Sequence, residues 1–552
     1  MKKTKRFAAA VAAIAMAVSM MTAGSLTAFA ESSELTTYSI TITSPASDEG
    51  VHTYQYAQIF TGTVAADGKI TAAQFGSGIT AATLFGAVKN LTGIPATLSA
   101  ESSADDFVAA LASVTDEKAL ASALNKVVTY TDLTSSTKVP AGYYLISDKV
   151  NPTASNPAGA NTGAQTAFLL KIIKNTDLSE VAKTSAPSAD KQVYDNDDGA
   201  NKGEGEVDND GWGETADHNV NETFQFRLIA TLPDEEGLDK FKTYRLVFND
   251  TLGTGVVFDS IDSVKIGTSV NDGIATELTA SQYSTTAAAN TTGAWSLTIP
   301  DVKLGDASAD IKGKVVVVTY NAHLDPSTCA VAGTADDNNP NTLYLQYSNN
   351  PNYQGSGEFG SKDEDNNENT SGQTPEDTVF VFTYKIDNVK VDAADNAIRL
   401  GGAVFNIKKG DTLLKFTWNA DKEAYVYDME NGSADVTSND GVDDSGLLGK
   451  FNILGLDAGT YTIEEKTAPE SYNLNKEKIT ATITAGHKES AADVPSLTLT
   501  QENGDNTVPN TQGAVLPETG GIGTTMFYVG GGALAAAAGV VLIAKKRSKK
   551  ED

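Results

Sequence analysis

Thr223-Phe224-Gln225-Phe226-Arg227-Leu228-Ile229-Ala230 and Lys314-Val315-Val316-Val317-Val318-Thr319-Tyr320 decide the fold class. Both are runs of β-branched and aromatic residues, the composition that fits a pleated, buried surface. Tyr244-Arg245-Leu246-Val247-Phe248 reads the same way. Asn-, Asp- and Gly-rich turns separate these strands, as in a β-sandwich. The acidic stretches Asp195–Asp217 and Ser361–Asp377 read as long exposed loops or linkers around them.

Toward the N-terminus the text is mixed. Thr37-Tyr38-Ser39-Ile40-Thr41-Ile42-Thr43 alternates at period two, and Ala141-Gly142-Tyr143-Tyr144-Leu145-Ile146 reads as another strand. Between them Asp105 to Tyr130 has helical spacing, with Phe107, Leu111, Leu120, Leu124 and Val128 on one face. Toward the C-terminus a further β domain is expected, with strands near Phe380–Lys390, Ala403–Lys408, Gly459–Glu464 and Ile479–Ile483. The expected class is therefore mostly β: tandem β-sandwich domains, the first of them mixed with some helix.

Composition narrows the function. Acidic side chains number 71 against 41 basic, a formal charge of −30. That argues against nucleic acid and anionic membranes as partners. Cys329 is the single cysteine, so no internal disulfide can form; a small packed hydrophobe is its expected role. His52, His218, His323 and His487 are scattered without metal-ligand spacing, and no GxSxG, HExxH or Cys/His pair marks an enzyme. Glu206, Asp208, Asp210, Gly211 and Asp217 follow an EF-hand-like spacing, but Glu opens and Asp closes it, both departures from that loop. A flexible acidic loop is the reading adopted, and neither metal nor cofactor is predicted.

The two ends carry addresses. Met1-Lys2-Lys3-Thr4-Lys5-Arg6 is basic, Phe7 to Met21 is apolar, and Ala28-Phe29-Ala30 fits signal-peptide cleavage, placing the mature N-terminus at Glu31. Near the other end Leu516-Pro517-Glu518-Thr519-Gly520 precedes an apolar run, Met526 to Ala544, and the basic Lys545-Lys546-Arg547-Ser548-Lys549-Lys550. As a helix the run is about 28 Å long, enough to span a hydrocarbon core, and the basic tail would stay cytoplasmic. This order resembles the cell-wall sorting signal of Gram-positive surface proteins. The resemblance implies cleavage by a sortase between Thr519 and Gly520 and transfer of the Thr519 carbonyl to an amine. The span then serves only to hold the precursor in the membrane.

Three internal resemblances follow. Lys390-Val391-Asp392, then Leu400-Gly401-Gly402-Ala403-Val404-Phe405, resembles the opening of a CnaB-type domain. Tyr461-Thr462-Ile463-Glu464-Glu465-Lys466-Thr467-Ala468-Pro469-Glu470-Ser471-Tyr472 is similar to the E-box of pilins, with Ser471 at a usual Gly and Lys466 at a usual Thr. Val508-Pro509-Asn510-Thr511 resembles the last strand. The family pattern implies an isopeptide between Lys390 and Asn510, assisted by Glu465. Ala186-Pro187-Ser188-Ala189-Asp190-Lys191-Gln192-Val193 is similar to the first strand of the CnaA-like fimbrial domain called D2. Phe248-Asn249-Asp250-Thr251-Leu252 and Asn339-Pro340-Asn341-Thr342-Leu343 resemble its later segments. That pattern implies Lys191 as nucleophile, Asp250 as acid and Asn341 as acceptor, with Asn349 as a competing acceptor. Tyr54-Gln55-Tyr56-Ala57-Gln58-Ile59-Phe60-Thr61-Gly62 resembles the N-terminal domain of such pilins.

The expected domains are 1–30 signal peptide, 31–184 N-terminal pilin domain, 185–375 CnaA-like domain, 376–512 CnaB-type domain and 513–552 sorting signal. The whole resembles a major, or backbone, pilin: a structural subunit rather than an enzyme, exported and joined to peptidoglycan or to a pilus. The resemblance implies sortase, copies of the chain itself and peptidoglycan as partners, with accessory pilins and a host surface ligand beside them. No YPK motif supplies the lysine that attacks the next subunit. Lys183, in Glu180-Val181-Ala182-Lys183-Thr184, is the candidate, with Lys171 and Lys174 as alternatives. The competing reading is a monomeric or basal wall-anchored adhesin.

Overall fold

The computed structural model describes residues 36–43, 52–150, 163–174, 176–182, 186–195, 211–234, 237–273, 275–331, 338–441, 446–483, 506–513 and 522–548. They form two compact units. The first is built on residues up to 385 together with 455–459; the second holds 386–454, 460–482 and the C-terminal residues. The chain is mostly β.

The first unit opens with an antiparallel sheet in which His52–Val64 lies between Ile70–Phe75 and Gly142–Val150, with Leu169–Ile173 beyond. Three helices, Ala81–Val88, Ala104–Leu111 and Glu117–Asn125, cover one face, burying Ile59, Phe60 and Leu145 under Leu84, Val88, Phe107 and Leu124. The helical spacing of 105–130 thus resolves into two helices. Asp116 explains the break: its side chain accepts from the Ala119 N–H and starts a new helix, as Ser103 does for the one before. Thr37–Thr43 is a strand as expected, in a small sheet between Lys138–Pro140 and Leu178–Val181.

The same unit continues as a sandwich. One sheet runs Trp212–Gly213, Ser188–Tyr194, Phe224–Thr231, Val315–Leu324, Val256–Gly267 and Thr276–Glu277. The other runs Thr215–Asp217, Asp377–Phe382, Asn339–Ser348, Leu246–Leu252, Ala294–Ile299 and Ser284–Thr285. Alternation sends Val316, Val318, Tyr320, Ala322 and Leu324 into the interior. Val315 and Val317 point the other way and are buried with Ile229 against half-buried Val270, which is why the run reads as continuously apolar.

Three expectations need correction. The described part of Asp195–Asp217 is not an exposed loop: Trp212–Gly213 and Thr215–Asp217 are strands, and Asp195 and Asp217 are buried. Asp217 accepts from the Ala458 N–H at 2.7 Å, which anchors its side chain within the fold. Glu206, Asp208 and Asp210 lie outside the described residues. Ser361–Asp377 likewise contains a strand, Ser371–Gln373, and Asp363 ties its own loop by accepting from Asp365, Asn367 and Gln354. The run Phe380–Lys390 is also not one strand. Asp377–Phe382 joins the sandwich opposite Asn339–Leu343, the chain breaks at Thr383, whose hydroxyl donates to the Leu456 carbonyl, and Tyr384–Ile386 and Asn388–Asp392 follow as separate strands.

In the second unit Val404–Lys409 pairs with Gly459–Thr467, Ile479–Ile483 continues that sheet, and Phe416–Asn419 pairs with Ala424–Tyr427. Asn388–Asp392 and Asn506–Asn510, far apart in sequence, lie side by side in parallel, Lys390 opposite Val508 and Asp392 opposite Asn510. Phe405 stacks on Phe451 at 4.1 Å in the core beneath.

Candidate functional site

Two buried lysines organise the chemistry. Lys390 occupies the middle of Asn388–Asp392, where the period of two turns it inward between Val389 and Val391. It is fully buried, with the Phe405 ring 5.9 Å from Nζ. Nζ donates to the Val508 carbonyl at 2.8 Å and to Oδ1 of Asn510. Glu465 lies 3.4 Å from Nζ, and both of its oxygens accept from Asn510 Nδ2 at 3.0 Å. The Asn475 N–H fixes the carboxylate with a third bond of 2.6 Å. Burial pulls the Lys390 pKa down to about 8, against the pull of Glu465. Burial thus biases this amine toward its neutral form, beside an amide whose nitrogen faces a carboxyl group. An amine, an amide carbon and a carboxyl group held in contact are what nucleophilic attack with proton transfer requires.

The E-box departures sit outside this trio. Lys466 pairs with Asp435 at the surface at 2.7 Å. Ser471 adopts φ +71°, the left-handed region that glycine would occupy without strain, and its carbonyl accepts from Gly513. Tyr472 donates its hydroxyl to Asp392 at 2.8 Å, fastening the loop to the strand that carries Lys390.

The second lysine, Lys191, is on Ser188–Tyr194, opposite Leu228 in the next strand. It too is fully buried, with the rings of Phe226 and Tyr320 at 5.1 and 5.5 Å from Nζ. Nζ is 2.7 Å from Oδ1 of Asp250, which Leu246–Leu252 presents from the facing sheet. Desolvation lowers the Lys191 pKa; Asp250 and Asp377 oppose it. Asn341, on Asn339–Ser348, is buried beside them, its Nδ2 donating to the Tyr320 hydroxyl at 2.6 Å. Tyr320 was not among the residues singled out from sequence. Its signal was available: it shares the inward phase of Val316 and Val318.

Asn349, the competing acceptor, is elsewhere. Its Nδ2 donates to the Gly163 carbonyl at 3.3 Å and its Oδ1 accepts from Thr370, so both ends of its amide are committed. Lys171 pairs with Glu180 at 2.7 Å and Lys174 donates to the Ala66 carbonyl at 3.1 Å. Lys183 and Leu516-Pro517-Glu518-Thr519-Gly520 lie outside the described residues. Cys329 is buried. His52 and His323 pair with Asp148 and Asp259, while His218 stacks on Phe224. His487 lies outside the described residues.

Residues 385–494 match the SpaA family of prealbumin-like fold domains, and residues 508–552 match the LPXTG cell wall anchor motif. This is a wall-anchored surface protein with a SpaA-type domain before its anchor. Its C-terminal helix Ile522–Ser548 contains a 19-residue apolar span, Tyr528–Lys546, of membrane-crossing length. The protein is secreted, kept in the membrane until sortase cleavage, and then held at the cell wall. Among solved structures the chain is similar to the T6 backbone pilin of serotype M6 Streptococcus pyogenes, at 16% identity and TM-score 0.46, covering 87% of this chain and 98% of that one. It is also similar to the major pilin SpaD from Corynebacterium diphtheriae, at 14% identity and TM-score 0.42, covering 87% and 98%. A third similarity is to BcpA, the major pilin subunit of Bacillus cereus, at 13% identity and TM-score 0.40, covering 86% and 99%. No curated protein matches the chain.

Proposed function

We propose that this protein is the shaft subunit of a sortase-assembled pilus, its domains 31–184, 185–375 and 376–512 stiffened by isopeptides Lys191–Asn341 and Lys390–Asn510. The observation that carries the reading is Lys390, buried on one strand against Asn510 of the parallel strand beside it, in a chain with a cell-wall anchor. In each bond the neutral lysine amine attacks the asparagine Cγ. The C–Nδ2 bond breaks, ammonia leaves with a proton supplied through Glu465 or Asp250, and the carboxyl group recovers a proton from Nζ. Holding the reactants in contact replaces an external catalyst, and the reaction occurs once, on the chain itself. A covalent tie across the domain supplies the durability that the lone Cys329 cannot.

Between subunits, a sortase cleaves at Thr519–Gly520 and the Thr519 carbonyl passes to a lysine of the next copy, for which Lys183 is the candidate. The last acceptor is peptidoglycan. Adhesion to a host surface, with accessory pilins, is the service such a fibre performs. Intact mass of Glu31–Val515 beside Lys191→Ala and Lys390→Ala tests the internal bonds: a deficit of two ammonias is expected, one lost in each variant. An uncorrected wild-type mass removes both. A ladder of covalent polymers in wall extracts, collapsed by Lys183→Ala, tests the shaft; a single band in the wild type would leave a monomeric anchored adhesin.

A further inference from the structure

The two lysine sites differ in one respect. At Lys390 the carboxyl group of Glu465 touches the departing nitrogen of Asn510 directly, with both oxygens at 3.0 Å. In the sandwich a hydroxyl stands between. Tyr320 donates to Asp250 Oδ2 at 2.7 Å and accepts from Asn341 Nδ2 at 2.6 Å. Among the described residues Oδ1 of Asn341 has no hydrogen-bond partner, and the Tyr320 hydroxyl is the polar group bonded to this amide. The tyrosine is itself wholly buried and held by its ring against Phe226, Phe258 and Trp295 at 5.1–5.5 Å. Tyr320, Asn341 and Asp250 are all buried, so a proton bound for Nδ2 is best carried by a protein group.

We propose that Tyr320 is a catalytic residue of the sandwich site, relaying the proton from Asp250 to the leaving nitrogen of Asn341. The inference rests on the isopeptide reading of Lys191 and Asn341. With the proton shared by Lys191 and Asp250 on the carboxyl group, Nζ attacks Cγ of Asn341. Asp250 Oδ2 then gives its proton to the Tyr320 oxygen while Tyr320 passes its own to Nδ2, and the Cγ–Nδ2 bond breaks. Ammonia departs, and Asp250 regains a proton from Nζ as the new amide forms. Tyrosine and aspartic acid end as they began. Aspartate, a methylene shorter than the glutamate of the other site, uses the phenol to reach its target.

Tyr320→Phe in the chain Glu31–Val515 tests this, because it keeps the ring and removes the relay. Chains are synthesised in a cell-free extract, stopped in acid at intervals and weighed intact. The wild type is expected to lose two ammonias, and Tyr320→Phe to lose the first promptly, at Lys390, and the second at least tenfold more slowly. The prompt loss at Lys390 shows that the variant folds there. Site-specific 3,5-difluorotyrosine at position 320 keeps shape and hydroxyl but changes its acidity, so it covers a variant that misfolds locally. A relay predicts an altered rate and pH profile for the second loss, which a ring that only packs would leave unchanged. Equal rates for both ammonias in Tyr320→Phe, or a wild-type rate with the fluorinated residue, overturn the relay. A wild type that never loses the second ammonia overturns the isopeptide reading itself.

Discussion

Removing the Lys390 amine is the most informative perturbation of this chain. Lys390 and Asn510 are 120 residues apart in sequence, so a bond between them closes nearly the whole second unit. Loop-closure entropy for a loop of that length gives about 5 kcal/mol of stabilisation. Lys390→Met should therefore lower the melting temperature of this unit by on the order of 20 °C. Energy alone does not decide the matter, because breaking a buried ion pair costs a similar 3–5 kcal/mol or so. Mass does. Differential scanning calorimetry and intact mass on wild type, Lys390→Met and Glu465→Gln are read together. The staple predicts that both variants lose the same stability and both regain one ammonia, since a glutamine in place of Glu465 cannot carry the proton. It also predicts that the wild-type deficit persists in denaturant. A wild type of full mass whose Lys390→Met variant still melts far lower would refute the covalent reasoning and leave a buried Lys390–Glu465 pair.

Other outcomes follow from the same geometry. In Asn510→Ala, which cannot form the bond, Lys390 keeps its amine; burial pulls its folded pKa down to about 8 from the ordinary 10.5. The unfolded chain then binds the extra proton between those values, so stability should rise with pH from about 8 to 10.5, by at most about 3 kcal/mol. Denaturant titrations at pH 7.5 and 10 check this, and the wild type, with its amine consumed, should show no such rise. Ser471→Gly relieves the left-handed strain at φ +71° and should stabilise the second unit by about 1 kcal/mol, read as a higher denaturation midpoint. Asn352 accepts from the Phe168 N–H at 2.9 Å and donates to the Thr166 carbonyl at 3.3 Å. Asn352→Ala should cost about 2 kcal/mol and speed amide exchange at Phe168, with exchange at Leu145 unchanged.

Much of this was legible because it is local. The β-branched and aromatic runs Thr223–Ala230 and Lys314–Tyr320 mark strands, since such side chains fit a pleated, buried surface whatever the partner. The five residues at Leu516–Gly520, an apolar run and a basic tail form an address read by an enzyme and a membrane, neither of which needs the rest of the fold. The spacing of Lys390, Glu465 and Asn510 was visible only through resemblance to a family pattern. Boundaries were less secure: the acidic run ending at Asp217 looked solvated because composition does not say that the Ala458 N–H needs an acceptor.

The sequence by itself determined a mostly β, exported and wall-anchored chain, because hydrophobic period, signal and anchor are properties of consecutive residues. Only the tertiary structure decided which polar groups meet. Asn341 and Asn349 are equivalent as text, but Asn341 projects between the sheets beside Tyr320, while Asn349 lies past the strand end and is tied to Gly163 and Thr370. Tyr320 is 70 residues from Asp250 and 21 from Asn341, and nothing local links them. Closing the sandwich brings them to hydrogen-bond distance and removes the water that would otherwise satisfy each alone.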